Sequence, residues 1–173
     1  MAWEKFIRGK RKRRDIIAFE RNLEENLLSL RDELVSHKYQ HGHYIPFKIH
    51  DPKERQIHKA GVKDRVVHQV VVNAIEPIFE SRYIFDSFSC RKRKGIHAAS
   101  KRLQYFLGKA SNNNTRTVYA LKCDVRKFFD RVDHRLLLDM IGRRIKEKET
   151  MELLRSIISS FKSVTGKGLP IGN

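Results

Sequence analysis

Residues 117–124, Thr-Val-Tyr-Ala-Leu-Lys-Cys-Asp, constrain the fold more than any other stretch of this chain. The run opens as an apolar strand at Val118–Leu121 and places a carboxylate, Asp124, where the strand should end. Arg126, Lys127, Phe128 and Phe129 follow. A strand needs partners for its backbone hydrogen bonds, while most of the remaining chain carries helical periodicity. The pattern therefore predicts an α+β fold, with helices packed on a small antiparallel sheet.

Residues 1–14 read as a basic lead-in. From about 14 to 36, Ile17, Leu23, Leu27, Leu30 and Leu34 recur near helical spacing and predict one long amphipathic helix, broken by Gly42 and Pro46. Residues 44–50 and 54–59 read as two short strands joined at Asp51-Pro52-Lys53, with proline at the second turn position. Asp64 stands where it would cap a helix over 64–79, whose apolar face is Val66, Val67, Val70, Ile75 and Ile78. Further helices are expected over 97–107, 133–145 and 148–162, with a polar tip at 111–115 and Asp133 as a cap.

Charge narrows the function. The chain has 37 Lys and Arg against 20 Asp and Glu, a formal net charge of +17. The cations recur along its length, at 8–14, 63–65, 90–95 and 142–148. Such a surplus draws polyanions, and nucleic acid is the expected partner. An anionic membrane surface is the lesser alternative, because no short helix pairs a basic face with exposed Trp or Phe. No apolar run is long enough to span a bilayer, and the first residues have no secretory pattern. Cys90 and Cys123 lack metal-ligand spacing, and reduced thiols in a cytoplasmic protein are the expectation.

Asp124 is the candidate for chemistry. A carboxylate at a strand end can offer both oxygens to a hard cation such as Mg²⁺, which keeps waters and completes its shell from substrate phosphate. A helix cap, or an ion pair with Arg126 or Lys127, explains the same residue on spacing alone. Asp130 and Asp133 read as structural, and His97 and His134 as packing or hydrogen-bonding residues.

Four blocks, in order over about 44–173, carry a resemblance. Residues 120–134 ("ALKCDVRKFFDRVDH") resemble the first catalytic palm motif of reverse transcriptases of the group II intron and retroelement type. Residues 53–71 resemble that family's fingers motif, 83–103 the block tied to template contact, and 166–173 ("GKGLPIGN") the start of the block beside nucleotide and template. The resemblance implies a right-hand polymerase fingers plus partial palm, with an N-terminal extension and helix over 1–43, fingers over 44–116 and palm over 117–173. It implies an RNA-directed DNA polymerase that extends a DNA or RNA primer on an RNA template with dNTP. Asp124 and the Val125 carbonyl would bind Mg²⁺ or Mn²⁺. Phe129 would screen the sugar 2′-hydroxyl, leaving Phe128 to the core. Arg55, Lys63, Arg65, Ile171 and Gly172 would contact the nucleotide, and Arg91, Lys92, Arg93 and Lys94 the nucleic-acid backbone.

Ile171 departs from the Gln-Gly usual in that last block and resembles reverse transcriptases of diversity-generating retroelements, which implies error-prone copying. The chain closes in mid-motif, before any second carboxylate block. The expectation is a fragment, inactive alone, with exposed strand edges that favour a homodimer. The rival reading is a non-catalytic RNA-binding module on a polymerase scaffold. A metal nuclease using Asp124, Asp130 and Asp133 is a third.

Overall fold

The computed structural model describes residues 2–50, 52–161 and 167–171. It is α+β: eight helices and one two-stranded antiparallel sheet among the described residues. The helices are α1 (Ala2–Phe6), α2 (Arg14–Glu20), α3 (Leu23–Val35), α4 (Val62–Glu80), α5 (Ile96–Ala110), α6 (Phe128–Arg131), α7 (His134–Gly142) and α8 (Lys148–Ser159). Strands β1 (Ile45–His50) and β2 (Glu54–Lys59) form a hairpin in which Phe47 opposes Ile57 and Ile49 opposes Arg55. The chain divides into two units. Unit 1 holds residues 1–74 and 127–173, and unit 2 holds 75–126, so the boundary falls within α4. No helix of the described residues is long and apolar enough to cross a membrane.

Unit 1 contains the core: Trp3, Phe6, Ile7, Ile16, Leu30, Ile57, Val66, Val67, Val71, Ile145, Leu154 and Ile158 are buried. The expected basic lead-in is thus part of that core. Trp3, Phe6 and Ile7 share one face of a helical turn, and Trp3 stacks on Phe19 with ring centres 5.3 Å apart. The helix expected over 14–36 is two helices. Asn22 breaks it with a non-helical backbone, and the Asn26 side-chain amide donates to the Phe19 carbonyl, a free helix-end acceptor, at 3.0 Å.

Beyond α3, His37 adopts a left-handed conformation, and the amides of Lys38 and Tyr39 return to the Glu33 carbonyl at 2.9 and 3.1 Å. This turn sends Tyr39 inward. Asp64 was expected to cap α4, but α4 starts two residues earlier and Asp64 is buried in its first turn. Its Oδ1 accepts from the Tyr39 hydroxyl at 2.8 Å and the Gly42 amide at 3.3 Å. A Cβ on Gly42 would sit 3.0 Å from the Asp64 carboxylate, tighter than an ordinary contact, so glycine suits this close passage of the chain. Asp133 caps α7 as expected, accepting from the amides of Arg135 and Leu136 at 3.0 and 3.2 Å.

The strand expected over 117–124 is absent. Residues 117–125 carry no regular structure, and Tyr119 and Leu121 are almost fully exposed. The apolar alternation is there, but no described strand pairs with it, and an unpaired strand has nothing to satisfy its backbone. Phe128, expected in the core, is exposed and meets Phe129 edge-on at 5.4 Å.

Candidate nucleic-acid interface

Three expected blocks come together in unit 1 through backbone hydrogen bonds. The segment Lys167–Ile171 crosses from α6 to β2 as a strap. The Gly168 amide donates to the Val132 carbonyl at 3.0 Å, and the Leu169 amide to the Phe129 carbonyl at 2.8 Å. The His58 amide on β2 donates to the Ile171 carbonyl at 3.2 Å. His134 Nε2 donates to the Gly168 carbonyl at 2.6 Å, fixing its tautomer, and Lys167 pairs with Asp133 at 2.7 Å. The Lys167 hydrogen bond first, and then the α7 amides, hold the Asp133 carboxyl below its usual range. Gly168 has φ +107°, and a Cβ there would lie 3.1 Å from the Asp130 carbonyl. The strap closes on this turn only through glycine.

Beside the hairpin lies an open concavity of about 620 Å³ lined by Arg13, Arg14, Asp15, Phe47, Lys59 and Arg65. Four cations face it against one carboxylate. Asp15 Oδ2 receives both Lys59 Nζ, at 2.7 Å, and the Arg65 guanidinium. Burial would raise the Asp15 carboxyl, but the Lys59 and Arg65 hydrogen bonds outweigh it and hold the group below its ordinary value. Arg65 is buried, donates also to the Gly61 carbonyl at 3.4 Å and lies 5.4 Å from the Phe6 ring centre. Burial and then the Arg65 and Arg13 charges lower Lys10.

The expected nucleotide contacts are thus in different states. Arg65 borders the concavity but is engaged by Asp15. Lys63 is tied to Glu33 of α3 at 2.6 Å and lies over the Tyr39 ring. Arg55 is exposed on β2. The Phe129 ring is about half exposed. Ile171 is half-buried in the strap, and Gly172 lies outside the described residues. Spacing missed Asp15, the one acid directly after the cation run 8–14, and the Arg13–Arg14 wall of the concavity.

In unit 2, Asp124 and Val125 are exposed, so the carboxylate is open to solvent. Among the described residues no three His, Cys, Asp or Glu side chains are grouped to hold a metal ion, so Asp124 is at most part of a ligand set. The four cations expected to track a backbone are not equivalent. Arg91 is an internal pin: its guanidinium holds Glu80 at 2.8 and 3.0 Å and the carbonyls of Ile84 and Ser87 at 2.9 and 3.0 Å. Lys92 pairs with Glu76 at 3.1 Å, and Lys94 donates to the Phe85 carbonyl. Arg93 is exposed, with φ +60°.

No protein-family model matches the chain. It is similar to Protein YkfC of Escherichia coli (strain K12), 32% identical over 138 residues, covering 76% of this chain and 34% of that protein. It is also similar to nuclear intron maturase 2, mitochondrial, of Arabidopsis thaliana, 22% identical over 157 residues, covering 82% of this chain and 20% of that protein. Nuclear intron maturase 1, mitochondrial, of the same plant is 26% identical over 94 residues, 54% of this chain and 12% of that protein. The chain is therefore distantly similar to two mitochondrial proteins named as intron maturases. It spans about a third or less of the length of these relatives.

Proposed function

We propose that the chain is the fingers and partial palm of a reverse-transcriptase-type protein, and that these residues bind RNA. The observation that carries this reading is the strap: Leu169 bonded to Phe129 and Ile171 bonded to His58 join three blocks that the resemblance identifies separately. The net charge of +17 and the basic concavity supply the attraction for a polyanion.

In this reading the parent protein extends a primer on an RNA template with deoxynucleoside triphosphates. The concavity at Arg13, Arg14, Lys59 and Arg65, with Arg55 near it in sequence, is the seat for phosphate. Asp124 and the Val125 carbonyl would each offer an oxygen ligand to Mg²⁺ or Mn²⁺; the ion, when bound, would polarise phosphate oxygens. The Phe129 ring limits the space for a 2′-hydroxyl, and Ile171 with Gly172 borders the nascent pair, where loss of a polar side chain loosens fidelity. A second reading, an RNA-binding module without catalysis, is favoured by the engagement of Arg65, Lys63 and Arg91 with the chain's own carboxylates.

Both readings require RNA binding by this chain, driven by counterion release. Affinity for RNA, measured by fluorescence anisotropy as salt is raised, should fall linearly on logarithmic axes, with a slope of roughly −0.7 for each phosphate contacted. Absence of binding at low salt would refute both.

A further inference from the structure

Helices α7 and α8 of unit 1 leave a groove between them that falls between the blocks at 120–134 and 166–173, where the resemblance assigns nothing. It is an open concavity of about 670 Å³, and Arg135, Arg143, Lys146 and Arg155 line it against a single carboxylate, Asp139. The half-buried Leu138 and Met151 line it between the cations. Its frame is anchored from below, because Ile145 in the connection and Leu154 and Ile158 on α8 are buried.

These cations differ from those beside the hairpin, where Asp15 engages both Lys59 and Arg65. Arg135, Arg143 and Arg155 are exposed, and among the described residues no carboxylate pairs with any of them. Lys146 donates one N–H to the Gly142 carbonyl at 2.8 Å, which leaves its ammonium two further donors. Like charges held together without a counter-ion repel one another, and an incoming polyanion offsets that repulsion.

The lining decides which polyanion fits. None of the groove's side chains carries a ring, so no base can stack there, and single-strand sites rest on such rings. Arg135 and Arg143 stand eight residues apart on helical backbone, about 12 Å along α7. Charges fixed on a rigid frame suit a ligand whose own charges are fixed, since neither side loses much freedom on binding. An RNA duplex is such a ligand: its backbone is held in place, and it is recognised by shape and phosphate. An acidic peptide could offer carboxylates to the same guanidinium forks, but it would have to be ordered on binding.

We propose that the α7–α8 groove holds the sugar–phosphate backbone of double-stranded RNA. Arg135, Arg143 and Arg155 contact phosphates with Lys146 beside them, and base sequence is not read. The inference rests on the RNA-binding reading above and adds a second contact surface and the form of RNA that it takes.

The test uses the intact chain with a fluorescent RNA duplex of about sixteen base pairs, an unstructured single strand of equal length, and polyglutamate. Arg143→Gln with Arg155→Gln removes two exposed charges, and thermal unfolding checks that the fold is kept. Duplex affinity should fall at least about fivefold and the magnitude of its salt slope by about 1.8, two contacts at roughly 0.9 each, while single-strand affinity stays within about twofold. Lys109→Gln with Arg116→Gln removes the same charge from exposed positions of unit 2 and should leave duplex affinity within about twofold. Arg143→Lys with Arg155→Lys keeps the charge and should restore the slope. Unchanged duplex affinity in the glutamine pair overturns the proposal, as does an equal loss for the single strand or in the unit 2 pair. Polyglutamate binding that the glutamine pair abolishes while duplex affinity is kept also overturns it, and assigns the groove to an acidic protein segment. In each of these cases the chain still binds RNA, and only this inference falls. If the unaltered chain binds no RNA at low salt, the underlying reading falls and takes the inference with it.

Discussion

The Nε2 atoms of His41 and His68 lie 3.1 Å apart, with the two rings stacked at 5.2 Å, so one nitrogen must donate and the other accept. His41 Nδ1 donates to the Gly42 carbonyl at 2.7 Å, which makes His41 Nε2 the acceptor and His68 the donor. Tyr44 closes the group, with its hydroxyl 3.3 Å from His41 Nε2 and 2.9 Å from Ser160 Oγ. The cluster ties the loop before β1 to α4 and to the end of α8.

Burial first, and then the His41 charge, push His68 down to about 4, while Asp64 acts in the opposite sense. A histidine lowered in the folded state favours folding in its neutral form. Its contribution is complete above the unfolded value near ~6.5 and is lost as pH falls through about 4. We expect about 3 kcal/mol of stability to disappear across that interval. The depressed Asp15 carboxyl acts in the same direction, its contribution being lost as pH falls through its folded value. Urea unfolding of the chain and of His68→Gln between those pH values should give a flatter profile for the variant. Identical profiles would disprove the role of the pair.

Asp15→Asn should have two opposite effects. The buried Arg65 loses its counter-charge, and because Asp15 is partly exposed the cost should be about 1–3 kcal/mol. With the internal anion gone, RNA should bind up to roughly fivefold tighter. Thermal unfolding and anisotropy on one sample give both numbers. Weaker RNA binding would show that the concavity is not a phosphate seat.

Gly168→Ala places a Cβ against the Asp130 carbonyl at a backbone angle that alanine rarely adopts. The strap should detach at a cost of about 2 kcal/mol. Hydrogen exchange should then speed up at the amides of Leu169 and His58, whose bonds hold the strap to α6 and to β2. Unchanged protection at both would mean that the strap does not hold β2 and α6 together.

Arg91 and Arg93 should separate cleanly although two residues apart. Arg91→Ala removes the pin between Glu80 and the carbonyls of Ile84 and Ser87, so it should raise protease sensitivity over 81–94. Arg93→Gln should leave proteolysis unchanged and reduce the magnitude of the RNA salt slope by about 0.7. The reverse pattern would exchange the two roles.

Most helices were legible because apolar spacing is local: α4, α5, α7 and α8 fall on their expected runs, and Asp133 caps α7 because a cap is read over four residues. What failed depends on distant partners. Asp15 and Arg65 are fifty positions apart, and nothing near either one announces the pair. The carboxylate expected to cap α4 is instead buried under Tyr39, a residue brought in by the left-handed turn at His37. Residues 117–124 have the composition of a strand, but pairing belongs to the sheet and not to the segment. The cations at 91–94 look interchangeable in sequence, yet Glu80 and Glu76 on α4 engage two of them.

The most direct test of the polymerase reading is RNA-templated primer extension by the parent protein proposed above, with and without Asp124→Ala, with RNA affinity measured on the same preparations. We predict that extension falls by on the order of a hundredfold or more, while RNA affinity stays within about twofold because an exposed acid does not attract phosphate. Near-normal extension by Asp124→Ala, or loss of extension only in step with loss of RNA binding, would contradict the assignment of Asp124 as a metal ligand.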